Sequence, residues 1–95
     1  MIVHWTDLAV ENLADIHEYV SRTSPGYSTS IIDRLIRRSE QIGTFPQSGR
    51  IVPEFSNPQL REVFEEPYRI VYRVKEGQID VLAVVHGSRA WPRSS

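Results

Sequence analysis

Three residues in the last third of the chain have side chains suited to chemistry on an anion: Arg69, His86 and Arg89. Arg69 sits within Tyr68-Arg69-Ile70-Val71-Tyr72-Arg73-Val74, a run otherwise suited to a strand. A guanidinium on a half-buried sheet face must meet a phosphate or a carboxylate, and its planar fork matches either. The internal alternative for Arg69 is a salt bridge with Glu54, Glu62 or Glu65. His86 closes a second apolar run just before Gly87, and imidazole is the natural general acid or base near neutral pH. Arg89 follows Gly87-Ser88, where its side chain can swing back toward Arg69. Two converging guanidiniums repel unless an anion lies between them, so the pair says more than either alone. Arg61 and Glu62 are adjacent on a strand and point to opposite faces, one structural and one toward the groove. Arg50, after Gly49, reads as a turn residue paired with a nearby acid. Arg34, Arg37 and Arg38 read as a solvated helix face.

Other chemistry lacks its residues. There is no cysteine, hence no disulfide and no thiolate nucleophile or ligand. No His-Glu-x-x-His, paired Cys or Asp-x-Asp cluster is present, so no metal is expected. No glycine-rich phosphate loop appears, and no cofactor is expected.

The scaffold must be small. The 95 residues are 40% hydrophobic and 24% charged, near-average globular composition, which argues for one domain spanning 1–95. No stretch approaches the roughly 20 apolar residues of a membrane span. Met1 is followed at once by strand-like residues, leaving no room for a signal peptide, so a cytoplasmic protein with no membrane partner is expected. The net charge of −1 conceals a polarity. The first twenty residues carry Asp7, Glu11, Asp15 and Glu18 and no Lys or Arg. Residues 67–95 carry Arg69, Arg73, Lys75, Arg89 and Arg93 against only Glu76 and Asp80. A near-neutral total argues against a general nucleic-acid coat and permits a local arginine site.

Ile2-Val3-His4-Trp5 reads as a first strand. Thr6 is a good N-cap for a helix over about 7–22, with Leu8, Leu13, Ile16 and Val20 at helical spacing. Thr23-Ser24-Pro25-Gly26 breaks it, and Ser24-Pro25 opens a second helix to about Ile42, with Gly43 at an αL C-cap. Ile51–Glu54 is extended, and strands follow at 60–65, 68–75 and 79–86, the last two joined by a Glu76-Gly77 turn. The fold class is α+β, in the order β-α-α-β-β-β. A helix hairpin packs on one face of a small, antiparallel-dominated sheet.

With Glu76-Gly77 as the loop, Lys75 faces Gln78, Arg73 faces Asp80, Tyr72 faces Val81, Ile70 faces Ala83 and Arg69 faces Val84. One face, holding Tyr68, Ile70, Tyr72, Val74, Ile79, Val81, Ala83 and Val85, is apolar and should meet the helices. The other holds Arg69, Val71, Arg73, Lys75, Asp80, Leu82, Val84 and His86, with His86 diagonal to Arg69. That face should accept an amphipathic, acidic segment of a partner over Val71, Leu82 and Val84, paired with Arg73.

The order of Trp5, the helix hairpin, Phe45-Pro46…Gly49-Arg50, Val52-Pro53-Glu54, Leu60-Arg61-Glu62, Tyr68-Arg69-Ile70-Val71-Tyr72 and Val84-Val85-His86-Gly87-Ser88-Arg89 resembles the RelE/ParE toxin superfamily. The resemblance runs from about residue 2 to residue 91. It implies a type II toxin neutralised by a cognate antitoxin, a small DNA-binding protein whose C-terminal segment wraps around it. RelE-like members are metal-independent, ribosome-dependent mRNA endonucleases; ParE-like members inhibit DNA gyrase. Arg69 matches the arginine that the nucleases use on the scissile phosphate, and Arg89 lies near their second arginine. Their lysine pair has no match around Arg61, and their C-terminal tyrosine is replaced by the tail Ala90–Ser95. The ParE-like branch is therefore favoured, with Arg61, Arg69, Arg89, Trp91 and Arg93 as target-binding residues. The alternative is a nuclease acting on mRNA at the ribosome with Arg69, Arg89 and His86 as catalytic residues. A third reading is a degenerate toxin that only binds its partner.

Overall fold

The computed structural model describes residues 1–87. Arg89, Trp91 and Arg93 lie outside the described residues. The elements are β1 (Ile2–Trp5), α1 (Asp7–Ser21), α2 (Pro25–Thr44), β2 (Arg50–Ile51), β3 (Leu60–Glu65), β4 (Tyr68–Lys75) and β5 (Gln78–His86). They form two helices on a five-stranded sheet of order β1-β5-β4-β3-β2, with β1 parallel to β5 and the other pairings antiparallel. The expected α+β class holds, with one addition. The extended stretch after Gly49 pairs briefly with β3 as the two-residue β2, giving β-α-α-β-β-β-β.

Thr6 serves two elements at once. Its hydroxyl oxygen accepts from the Ala9 amide (3.3 Å), capping α1, and the hydroxyl donates to the Val81 carbonyl (2.8 Å) on β5. Thr6→Ala should cost about 1–2 kcal/mol from the lost cap and hydrogen bond. Chemical denaturation of the two proteins measures this, and an unchanged midpoint would contradict it. The hairpin is fastened by Ser28, fully buried, which donates to the His17 carbonyl (3.0 Å) and accepts from the Ser21 hydroxyl (3.0 Å).

Gly43 is not the left-handed cap that the sequence suggests; α2 runs through it to Thr44. Its lack of a side chain serves a close approach instead. A Cβ there would lie 2.7 Å from Val3 Cγ2 on β1. Gly77 does take positive φ (+71°), at the second position of the β4–β5 turn.

The β4–β5 register follows the sequence expectation from Lys75↔Gln78 to Tyr72↔Val81 and then departs from it. Leu82 is an extra residue, so Val71 faces Ala83, Ile70 faces Val84, Arg69 faces Val85 and Tyr68 faces His86. The bulge sits where β1 stops pairing with β5, at Trp5↔Val81. There the chain turns into α1, whose Thr6 and Asn12 take over the hydrogen bonding: Asn12 Oδ1 accepts from the Val84 amide (2.9 Å). One extra residue exchanges the two faces of everything beyond it. Val84 therefore joins the helix-side core with Ala9, Ile16, Ile31, Leu35, Ile42, Val63, Ile70, Tyr72, Ile79 and Val81. Ala83 and Val85 pass to the opposite face, and His86 moves to the helix side of the sheet, away from Arg69.

Arg73 does oppose Asp80, but the carboxylate is held by others: Gln78 Nε2 (2.6 Å), Lys75 Nζ (3.0 Å) and His4 Nδ1 (3.4 Å). The hydrogen bond from Gln78, followed by that from Lys75, holds the Asp80 carboxyl below its ordinary value. A carboxyl lowered on folding stabilises above its unfolded pKa of about 3.9 and loses that contribution as pH falls through the native value. Asp80→Asn should therefore be less stable than the parent at pH 7. The gap should narrow as the pH drops below the usual carboxylate range. Melting curves at pH 7 and pH 3 test this; a gap that widens on acidification would refute it.

Candidate functional site

The sheet face turned away from the helices carries a four-membered ion cluster. Glu62 on β3 is 1% exposed, a position no carboxylate holds without compensation. Arg50 on β2, directly opposite in the register, donates from Nε to Glu62 Oε2 at 2.6 Å. Arg69 on β4 donates from Nη1 to Glu62 Oε1. Arg69 is itself only 4% exposed, and its Nη2 lies 3.6 Å from Glu54 Oε2. Glu54 comes from the turn-rich stretch after β2, so that stretch folds back over this face and closes it. Of the three carboxylates weighed for Arg69, two are partners; the third, Glu65, pairs with Arg34 across the helix side (2.8 Å).

Neighbouring groups tie the cluster to the loops. Arg50 lays its guanidinium over the Phe64 ring, 5.3 Å from the centroid. Arg61, pointing the other way, donates to the carbonyls of Gly49 (2.9 Å) and Pro58 (3.1 Å). Of the two neighbours, Arg61 holds the loop carbonyls from the helix side and Glu62 is the hub of the buried cluster. Tyr72 is fully buried. Its hydroxyl donates to the Pro46 carbonyl (2.8 Å) and accepts from the Gly49 amide (3.0 Å), and burial raises its pKa.

His86, expected diagonal to Arg69, is thus separated from it, and the expected convergence of Arg89 on Arg69 lies outside the described residues. Arg69 is enclosed on one face, and His86 stands exposed on the other, edge-on to Tyr68 with ring centroids 5.8 Å apart. The expected antitoxin surface of Val71, Arg73, Leu82 and Val84 is also divided. Val84 is buried beneath the helices and Val71 is buried on the opposite face, while Arg73 is exposed and Leu82 half-buried at the bulge.

Sequence reasoning missed a cleft. It is an open hollow of about 460 Å³ between α1 and the far end of β5, bounded by Asn12, Asp15, Ile16, Tyr19, Tyr68 and the stretch Val84 to His86. Its only signal in the sequence is the acidic character of α1. Burial raises the pKa of the Tyr68 phenol there. No group of three or more His, Cys, Asp or Glu able to hold a metal occurs among the described residues.

A helix hairpin laid over a mixed sheet of this strand order is the scaffold of the small toxins of the RelE/ParE superfamily. Over residues 3–91 the chain matches the family described as ParE toxin of type II toxin-antitoxin system, parDE, and it belongs to that family. It is 30% identical over 88 residues to a protein named Toxin RelE2 from Caulobacter vibrioides, covering 92% of this chain and 96% of that one. Its fold is that of a chain in a structure titled Chromosomal ParDE TA system from P. aeruginosa. That match has a TM-score of 0.77 and 20% identity, and covers 90% of this chain and 95% of the other.

Proposed function

We propose that this type II toxin arrests growth by binding DNA gyrase, with no bond-breaking chemistry of its own, and that a cognate antitoxin neutralises it. The observation that carries the reading is the state of Arg69. A nuclease would need that guanidinium to meet a phosphate; here it is buried against Glu62 and Glu54, which already balance its charge. His86 lies across the sheet from it, too poorly placed to share one phosphate. Match to the ParE family supports the same branch. Target contact on this reading belongs to Arg89, Trp91 and Arg93, a short stretch that is both basic and aromatic.

The purified toxin should inhibit gyrase supercoiling and leave ribosome-bound mRNA intact. Cleaved mRNA with unimpaired gyrase would reverse the assignment in favour of the nuclease reading, which the likeness to a protein named Toxin RelE2 keeps in play. In that case Arg69, Arg89 and His86 become the residues to replace.

A further inference from the structure

The cleft between α1 and β5 combines two tyrosines with a carboxylate. Tyr19 stands 71% exposed, Tyr68, a core residue only 8% exposed and edge-on to His86, closes the back, and Asp15 is exposed on the rim. Ile16 and Val84 make the floor apolar and Asn12 adds an amide. An exposed aromatic ring beside a carboxylate, over an apolar floor, suits a guanidinium or ammonium on an aliphatic stem. The helix reinforces that sign. Glu11 and Glu18 lie one turn to either side of Asp15 on α1, and Asp7 one turn further back. Among the described residues the only ion pair made by these four carboxylates is Glu18 with Arg22 (3.0 Å).

We infer that this cleft is a docking site for a basic segment of the antitoxin, one arginine side chain entering between Tyr19 and Tyr68 with its guanidinium against Asp15. The inference rests on the reading of the chain as the toxin half of a module and replaces the acidic segment that the sequence suggests. Charge selects the partner. The residues assigned to the gyrase contact are cationic, so a partner suited to them is anionic. The cleft has the opposite sign and suits a different protein.

Two measurements test it. The blocked tripeptide acetyl-Ala-Arg-Ala-amide, titrated into the toxin and followed by amide NMR, should shift Asn12, Ile16, Tyr19, Tyr68 and Val84 saturably. Its glutamate counterpart should not. Asp15→Asn and Tyr19→Ala should each weaken the arginine peptide by about three- to five-fold, the scale of one exposed ion pair or cation–π contact. Asp7→Asn, which removes the same charge away from the cleft, should leave it unchanged. With the cognate antitoxin, Asp15→Lys should weaken the complex at least as much, while thermal melting and gyrase inhibition stay as in the parent. Equal binding of the glutamate peptide, or an antitoxin affinity indifferent to Asp15→Lys, would overturn the inference. So would loss of gyrase inhibition with antitoxin affinity intact, which would make the cleft a target surface. A toxin that binds the arginine peptide but leaves gyrase untouched would instead count against the gyrase reading alone.

Discussion

Glu62→Ala should destabilise the protein by about 3–5 kcal/mol, the cost of stripping a buried cation of its partner. The substitution takes from the enclosed Arg69 its nearer carboxylate, leaving Glu54 at 3.6 Å, and removes the acceptor of Arg50 as well. For a domain of this size such a loss is a large share of the total stability, so the midpoint of urea unfolding should fall sharply. Arg69→Ala should cost less, because Arg50 still donates to Glu62. The double variant should cost clearly less than the sum, because each change removes the reason the other is harmful. Strict additivity would show that the two charges do not depend on each other. The same arithmetic bears on growth assays: loss of toxicity in Arg69→Ala says nothing about catalysis until the variant is shown to be folded.

Gly49→Ala should also be damaging, at about 2–3 kcal/mol, the scale of overpacking in a tight interior. The added Cβ would lie 2.5 Å from the Tyr72 hydroxyl and 2.6 Å from the Glu62 carbonyl oxygen. Neither can yield cheaply. The hydroxyl is held between the Pro46 carbonyl and the Gly49 amide, and the carbonyl belongs to the strand that positions the ion cluster. Tyr72→Phe in the same background should recover only part of the loss, since the backbone clash remains. Thermal melting of the two single variants and the double variant decides this, and a Gly49→Ala protein as stable as the parent would refute it.

Both sites show what could be read from the chain alone. Local patterns were enough for the two helices, for Thr6 as a cap and for the three long strands, because each rests on spacing within one segment. The partners of Arg69 were also within reach, since a guanidinium on a half-buried strand needs a carboxylate and only a few lay near. What could not be read was the one-residue bulge at Leu82. Nothing in Ile79–His86 marks an extra residue; its cause is the end of β1, and the start of α1, against β5 from the far end of the chain. That slip alone put Val84 under the helices and His86 on the wrong side of the sheet from Arg69. The cleft was hidden for the same reason, because its two walls, α1 and the end of β5, are remote in sequence.

The parallel pairing of β1 with β5 has a consequence for synthesis. Ile2 reaches its neighbour only when Gln78 exists, and the strand that joins β1 to the rest of the sheet follows every other strand among the described residues. A nascent chain that has grown through β3 has two amphipathic helices with no finished sheet to cover. Long-range pairings of this kind form late, after loop closure has been offset by burial. Translation that stops short of β5 should therefore leave a fragment with no folded toxin in it. A toxin built in this order cannot complete its sheet until β5 has emerged.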